Sequence, residues 1–247
     1  MVAVYLFFCT LLAYVVKGVA GFGNTLVLNG LFSLTVSNRL TSPADLLISF
    51  PANLYLVWRE RASLDVRVAA PLAAMLVAGL IPGIWLLKVG SDWVLKTLLG
   101  VVIMGLAVEM GTRKEGGTPA PITRGRRLGL LAVGLVSGVL AGLFGIGALL
   151  AAYVSRTTDN QSAFRANLCM VFLVDNIVRI PAYAATGILT AQALQFALFL
   201  APAAALGLMV SARWGKRLPQ RAVRLITCGM LFVSGAALVI QNGFFHG

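Results

Sequence analysis

The stretch KGVAGFGNTL, residues 17–26, places a lysine, three glycines and an asparagine within an apolar segment. Glycine is a poor helix former, and a lysine at the centre of a bilayer costs about 2.5–3.5 kcal/mol on insertion scales. A membrane segment carries such residues where they have a partner or face an aqueous cavity. The stretch therefore predicts a functional break in a membrane helix.

The composition indicates a helical membrane protein. Of the 247 residues, 59% are hydrophobic and 11% are charged, whereas charged residues make up about 25% of a soluble domain. A crossing takes about 20 apolar residues. Windows of that length without Asp, Glu, Lys or Arg occur at 68–87, 128–155, 180–212 and 225–245. We predict an all-α polytopic membrane protein of about eight helices.

The formal net charge of +12 is concentrated in short stretches. Fifteen of the twenty Lys and Arg residues lie within residues 58–67, 111–127, 156–165 and 213–224. Because cytoplasmic loops of membrane proteins accumulate Lys and Arg, we attribute this charge to orientation and not to a nucleic-acid partner. With these stretches in the cytoplasm, both termini are predicted to lie outside.

This orientation predicts two halves of opposite topology. Each half begins with a glycine-interrupted segment, 1–36 or 128–155, that enters and leaves by the same face. It does so either as a re-entrant hairpin or as two helices that meet at the glycines. Three full crossings follow in each half, near 43–58, 68–88 and 93–110 and near 166–183, 190–212 and 221–241. The predicted units are repeat 1 at 1–110, a cytoplasmic linker at 111–127 and repeat 2 at 128–247.

Residue matches between the halves favour an inverted repeat. The matched positions are Gly21 and Gly23 with Gly145 and Gly147, and Asn53 with Asp175. Inverted repeats with broken helices are typical of secondary transporters, which hold substrate near the midplane where the breaks meet.

The first break offers groups that suit an anion. Lys17 is a compact cation, and the alternatives are that it reaches the membrane interface or forms a structural pair. The glycines release backbone N–H groups at a helix amino end, which attracts anions, unless they only allow close helix packing. Asn24 and Thr25 either donate side-chain hydrogen bonds to an oxyanion or cap the next helix.

The second half offers a buried pair of opposite charges. Asp175 and Arg179 are spaced i, i+4, which permits an intrahelical ion pair. The functional alternative makes Arg179 an anion contact and Asp175 a protonatable group, with Asn53 and Asn167 as polar contacts in the same site. Asp45 follows Thr-Ser-Pro, and we expect it in the first turn of a helix as a capping residue and not as a proton carrier.

Catalytic and metal chemistry lack their usual side chains. His246 is the single histidine, and the three cysteines are scattered among apolar residues without a CxxC spacing. A Ser-His pair, a Cys-His pair and a zinc site are therefore not expected. We predict no enzyme activity and no cofactor.

The paired stretches GVAGFGNTLVLNG (18–30) and GVLAGLFGIGALLAA (138–152) resemble the twin glycine motifs of the TauE/SafE sulfite exporter family. The resemblance implies a transporter of sulfur-containing oxyanions, such as sulfite, sulfonates or sulfoacetate, coupled to protons, in a bacterial inner membrane. It assigns the glycine motifs to Gly21, Gly23, Gly145 and Gly147, and the polar helix positions to Asn53 and Asp175.

Three functional hypotheses follow. The first is a proton-coupled exporter of small sulfur oxyanions, with Lys17, Asn24, Thr25 and Arg179 on the anion and Asp175 as the proton carrier. The second keeps the fold as a passive anion channel or a transporter of another small anion. The third is a membrane protein without transport activity, either an intramembrane enzyme or an assembly partner. Wide apolar helix faces leave room for a homodimer.

Overall fold

The computed structural model describes residues 2–32, 35–112, 124–145 and 161–214, together with residues 150, 151, 154, 229, 232, 233, 235, 236, 239 and 240. Within this part the chain forms helices and no strands. The helices are α1 (Val2–Ala20), α2 (Asn24–Phe32), α3 (Asn38–Arg59), α4 (Val66–Val89), α5 (Asp92–Thr112), α6 (Arg124–Phe144), α7 (Gln161–Ala185) and α8 (Ala191–Trp214). A 3-10 turn, Arg61–Ser63, connects α3 to α4.

The helices confirm the prediction of an all-α polytopic membrane protein. Among the described residues, four segments are long and apolar enough to cross a bilayer: Ala3–Ala20, Val66–Val89, Ser162–Ala185 and Ala191–Arg213. The predicted crossings near 68–88, 166–183 and 190–212 correspond to α4, α7 and α8. The predicted crossing near 221–241 lies largely outside the described residues, and so does Gly147.

The helix α3 is more polar than the other crossings because its buried face carries polar side chains. Thr41, Ser42, Asp45, Ser49 and Asn53 are all buried. Their spacing of three to four residues puts them on one side of the helix. A helix with a polar inner face needs polar partners, and α1, α2 and α7 supply them.

In the first glycine-interrupted segment, two helices meet at the glycines and the chain reverses direction. The helix α1 ends at Ala20, Gly21 and Gly23 have φ of +83° and +94°, and α2 begins at Asn24. Near the break, Lys17 Nζ donates to Asn24 Oδ1 at 3.1 Å. Far from it, the Tyr5 hydroxyl donates to the Leu31 carbonyl at 3.2 Å. The two helices are therefore antiparallel, and the positive φ values, which suit glycine alone, make the reversal possible.

The first helix of the second segment ends in the same way. The helix α6 ends at Phe144, and Gly145 follows with φ of +72°. Its N–H donates to the Ala141 carbonyl at 2.8 Å, as the N–H of Gly21 donates to the Lys17 carbonyl at 2.6 Å. Gly21, Gly23 and Gly145 therefore adopt a positive φ that other residues avoid. Their role is not only to allow close helix packing.

The packing of the helices crosses between the halves. The helix α1 packs on α8, and α6 packs on α4, while α3 contacts both α7 and α8 and α7 contacts α4. Glycines bring α4 and α6 close together: Gly79 and Gly83 on α4 face Gly138 and Gly142 on α6. Backbones approach this closely in membranes where small residues line the interface.

Alanine at Gly79 is expected to destabilise the protein by about 1–3 kcal/mol, the usual cost of overpacking. The new Cβ would lie 2.7 Å from the Gly138 Cα, so α4 and α6 must separate. Thermal denaturation in detergent measures the effect as a lowered Tm. Gly105→Ala is the matched control, since a Cβ there meets nothing within 4 Å. Equal Tm values for the two variants would contradict the packing argument.

Candidate functional site

A pocket lies where the two helix breaks meet α3 and α7. Its cavity volume is about 20 Å³, room for roughly one water molecule, and it is partly open to solvent. Of the residues expected in the site, it is lined by Lys17, Gly23, Asn24, Thr25, Asn53, Gly145, Asp175 and Arg179. The remaining lining residues are Phe22, Leu26, Ser49, Phe172 and Asn176.

The two breaks contribute opposite helix ends to this pocket. The first break supplies the amino end of α2, whose first N–H groups have no acceptor within the helix. The second break supplies the carboxyl end of α6 at Gly145. The two are in contact, since a Cβ on Gly145 would lie 3.0 Å from the Thr25 Cγ2. Residues 146–149 lie outside the described part of the chain.

Lys17 is held inside the protein and does not reach a membrane interface. Its side chain is 1% exposed, and Nζ lies 5.9 Å from the centroid of the Phe172 ring. Nζ donates to Asn24 Oδ1, and no carboxylate of the described residues lies within ion-pair distance of it. A buried ammonium group has three donors to satisfy, so Lys17 keeps capacity for a further acceptor.

Asn24 and Thr25 stand at the amino end of α2 but do not cap it with their side chains. Asn24 Nδ2 donates to Asp45 Oδ1 at 3.0 Å and to Ser49 Oγ at 2.8 Å, and Thr25 Oγ1 donates to Asp45 Oδ2 at 2.6 Å. The capping alternative is therefore wrong for both residues. Their donors point at the acid of α3.

Asp45 belongs to this site, and the expectation that it caps a first turn is wrong. The helix α3 begins at Asn38, and the side chain of Ser37 caps it by accepting from the Arg39 N–H. Asp45 therefore lies two turns inside the helix. Its carboxylate also accepts from the Tyr14 hydroxyl at 3.1 Å and from Ser49 Oγ at 3.3 Å.

Asp175 and Arg179 form the ion pair that their spacing permits. Arg179 Nη2 lies 2.9 Å from Asp175 Oδ2, and both side chains are buried. Arg179 Nη1 also donates to the Ala141 carbonyl. A cation at the carboxyl end of a helix interacts favourably with the helix dipole. Arg179 therefore stabilises the end of α6 and also neutralises the charge of Asp175.

Two further side chains complete the carboxyl end of α6. The Tyr183 hydroxyl donates to the Gly142 carbonyl at 2.7 Å, and Asn29 Nδ2 donates to the Phe144 carbonyl. Carbonyls at the end of a helix have no intrahelical partner. Sequence reasoning missed both capping residues because they come from other helices, α7 and α2.

Several lining atoms lack partners within the described part of the chain. They are Asn53 Oδ1, Asp175 Oδ1 and Arg179 Nε, all buried. Buried polar atoms are nearly always hydrogen-bonded, and an unpaired set around one pocket points to a polar occupant. The set contains acceptors as well as a donor, which suits a ligand that carries both, or water beside an anion.

Two expected site residues lie outside the pocket. Asn167 Oδ1 accepts from the Asp65 N–H at 2.8 Å, which ties α7 to the start of α4. Gly21 forms the break but faces Arg165, whose Cγ would lie 2.8 Å from an added Cβ. Of the residues that were not expected, Ser49 and Asp45 could have been found from their i, i+4 spacing with Asn53 on α3.

The fold and the pocket define a class of protein: a helical membrane protein with a buried, charged pocket between two broken segments. The family model described as "Sulfite exporter TauE/SafE" matches residues 6–238. The chain therefore belongs to the TauE/SafE sulfite exporter family, a family of membrane transporters. Comparison with curated proteins and with solved structures found no match.

Proposed function

We propose that this protein is a secondary transporter that exports small sulfur-containing oxyanions, such as sulfite, sulfonates or sulfoacetate, in exchange for or together with protons. The family supports the sulfur oxyanion. The observation that carries anion binding is the buried Lys17 ammonium beside the amino end of α2, with no carboxylate paired to it among the described residues. An ammonium and a helix amino end both favour negative charge.

Two inverted repeats account for how such a site is exposed to each side in turn. If the halves are repeats, α1 corresponds to α6, α3 to α7 and α4 to α8. Under this correspondence, the contact of α1 with α8 matches the contact of α6 with α4. The same correspondence maps the contact of α3 with α8 onto that of α7 with α4. This pattern supports repeats at 1–110 and 128–247 about a cytoplasmic linker at 111–127. Rocking of such halves around a fixed site is the usual route of alternating access.

Charge supplies the argument for proton coupling. Lys17, Arg179 and Asp175 line the pocket. Asp45 lies behind its wall, bonded to Asn24 and Thr25, so the two cations and two carboxylates of the ionised site sum to zero. An added anion leaves a net negative charge inside the membrane, which is costly. A proton on Asp175 cancels this negative charge. We place that proton on Asp175 Oδ1, which lies at the pocket wall and has no partner among the described residues.

The orientation and surroundings follow from the loops and the family. We place the protein in a bacterial inner membrane, with the basic loops in the cytoplasm and both termini periplasmic. The substrate is a small anion, and the exposed apolar faces contact lipid or a second copy of the chain. We assign the protein no enzymatic activity and no cofactor.

Replacing Lys17 by methionine is expected to lower sulfite or sulfonate flux into proteoliposomes more than tenfold. Hydrogen bonds to a charged group contribute about 1.5–3 kcal/mol, and about 1.4 kcal/mol is a tenfold change. The matched control is Lys88→Met, since Lys88 is exposed in the last turn of α4. Equal flux in the two variants would sink the assignment of Lys17 to the anion.

The same vesicles separate a transporter from a passive channel. With a pH gradient imposed, a proton-coupled transporter accumulates the anion above its external concentration. A channel only brings the concentrations to electrochemical equilibrium. Flux that responds to voltage and never to the pH gradient would favour the channel alternative.

A further inference from the structure

The carboxylate of Asp45 occupies the donors that were expected to bind the substrate. Asn24 Nδ2 donates to Asp45 Oδ1 at 3.0 Å and Thr25 Oγ1 donates to Asp45 Oδ2 at 2.6 Å. The Tyr14 hydroxyl and Ser49 Oγ donate to the same carboxylate. An acid that is 5% exposed and surrounded by four donors is bound as an anion ligand would be.

Asp45 connects to Lys17 through one side chain. Lys17 Nζ donates to Asn24 Oδ1, and the amide of the same residue donates to Asp45. The Asn24 amide therefore holds the ammonium group and the carboxylate apart, at opposite ends of one side chain. If Asp45 lost its charge, Asn24 and Thr25 would keep their donors but lose the anion that holds them.

The titratable and charged groups around Asp45 come from two helices. Tyr14 and Lys17 face it from α1, the first directly and the second through Asn24. Arg179, Asp175 and Tyr183 belong to α7, where Tyr183 meets α3 at Ser42 and Arg179 is paired with Asp175. Among the described residues no cation forms an ion pair with Asp45. Its charge is thus compensated by neutral donors and, at a distance, by Lys17 and Arg179.

We propose that Asp45 is the internal competitor of the transported anion: the ionised carboxylate and the substrate bind the same donors, Asn24 and Thr25, so that the substrate enters when Asp45 takes up a proton. This inference rests on the proposed function and adds a residue and a mechanism to it. The step moves one proton from water onto the Asp45 carboxylate and breaks no covalent bond. The protonated acid is neutral and no longer opposes a second negative charge beside the same donors.

The competition predicts how anion affinity depends on pH. The proton that Asp45 takes up with each anion makes the affinity fall tenfold per pH unit once Asp45 is ionised, in addition to the effect of the proton proposed for Asp175. In Asp45→Asn the competitor is neutral at every pH. Anion binding to this variant is then expected to take up one proton fewer than binding to the unchanged protein. At pH 8.5 the anion affinity of the variant is expected to be at least tenfold higher than that of the unchanged protein.

The experiment measures binding of methanesulfonate and of sulfite to the purified full-length protein between pH 5.5 and 8.5, by thermal shift and calorimetry. Methanesulfonate is a monoanion across this range, so its own titration does not enter. Asp65→Asn is the matched control, because Asp65 caps α4 outside the pocket and asparagine caps a helix equally well. It is expected to bind both anions with the pH dependence of the unchanged protein.

The outcomes separate this inference from the proposed function. If the unchanged protein binds neither anion at any pH, the proposed function fails and the inference with it. If it binds them and Asp45→Asn keeps the full pH dependence, the inference alone is overturned.

A second variant keeps the test decisive if Asp45→Asn does not fold. Asp45→Ser is neutral at every pH and keeps a hydroxyl that can accept from the donors around this position. Its anion binding is likewise expected to take up one proton fewer than that of the unchanged protein. The full pH dependence in this variant would overturn the inference.

Discussion

Replacing Arg179 by methionine is expected to lower the free energy of unfolding by about 3–5 kcal/mol, the usual cost of leaving one member of a buried ion pair alone. Asp175 would lose the guanidinium 2.9 Å from its Oδ2, and the Ala141 carbonyl would lose its donor. Asp175 would keep a buried charge without its partner, since both side chains of the pair are buried. Thermal and denaturant unfolding in detergent measure the effect.

Two controls define the origin of that loss. Arg59 pairs with Glu60 at 3.0 Å, but its side chain is 28% exposed, so Arg59→Met is expected to cost about 0–1 kcal/mol. The double variant Asp175→Asn, Arg179→Met removes the unpaired charge and is expected to recover part of the stability. If Arg179→Met proves no less stable than Arg59→Met, the buried pair does not stabilise the fold as argued.

Replacing Gly145 by alanine is expected to lower anion flux more than tenfold, beyond any effect on stability. Alanine in the left-handed region costs about 1–2 kcal/mol at this φ of +72°. The added Cβ would also lie 3.0 Å from the Thr25 Cγ2 and from an Arg179 nitrogen. Both residues line the pocket, so the substitution displaces two of its walls.

Gly187 provides the control for this second prediction. Its φ of +75° carries the same dihedral cost, but a Cβ there meets nothing within 4 Å. Gly187→Ala is therefore expected to lose stability and keep its flux per folded molecule. Initial rates in proteoliposomes, normalised to folded protein, compare the two, and a similar flux loss in both would show that Gly145 acts through stability alone.

Local signals predicted several of the helices and part of the pocket. Charge-free windows identified α4 and α8, because the cost of burying charge in lipid is a property of each segment alone. The spacing of Asp175 and Arg179 predicted their ion pair, because residues four apart lie on one face of any helix. The glycine motifs predicted both breaks, because only glycine adopts positive φ without strain.

Long-range partners were beyond the reach of such signals. Asp45 looked like a capping residue from its neighbours Thr41, Ser42 and Pro43, yet its helix begins at Asn38. Asn167 looked like a site residue by its position on α7, yet it holds the Asp65 N–H. In both cases the side chain is polar and buried, and its partner is chosen by which helix packs against it.

The sequence by itself determined that this protein is a helical membrane protein with glycine breaks, a cation at the first break and a charge pair in the second half. These features depend on hydropathy, dihedral preference and helical spacing, which act over a few residues. The tertiary structure alone decided which side chains meet at the first break. Above all, it decided that Asp45 accepts from Asn24 and Thr25. The reason is physical: a buried donor must find an acceptor, and only the packing of α1, α2, α3 and α7 brings that acceptor within 3 Å.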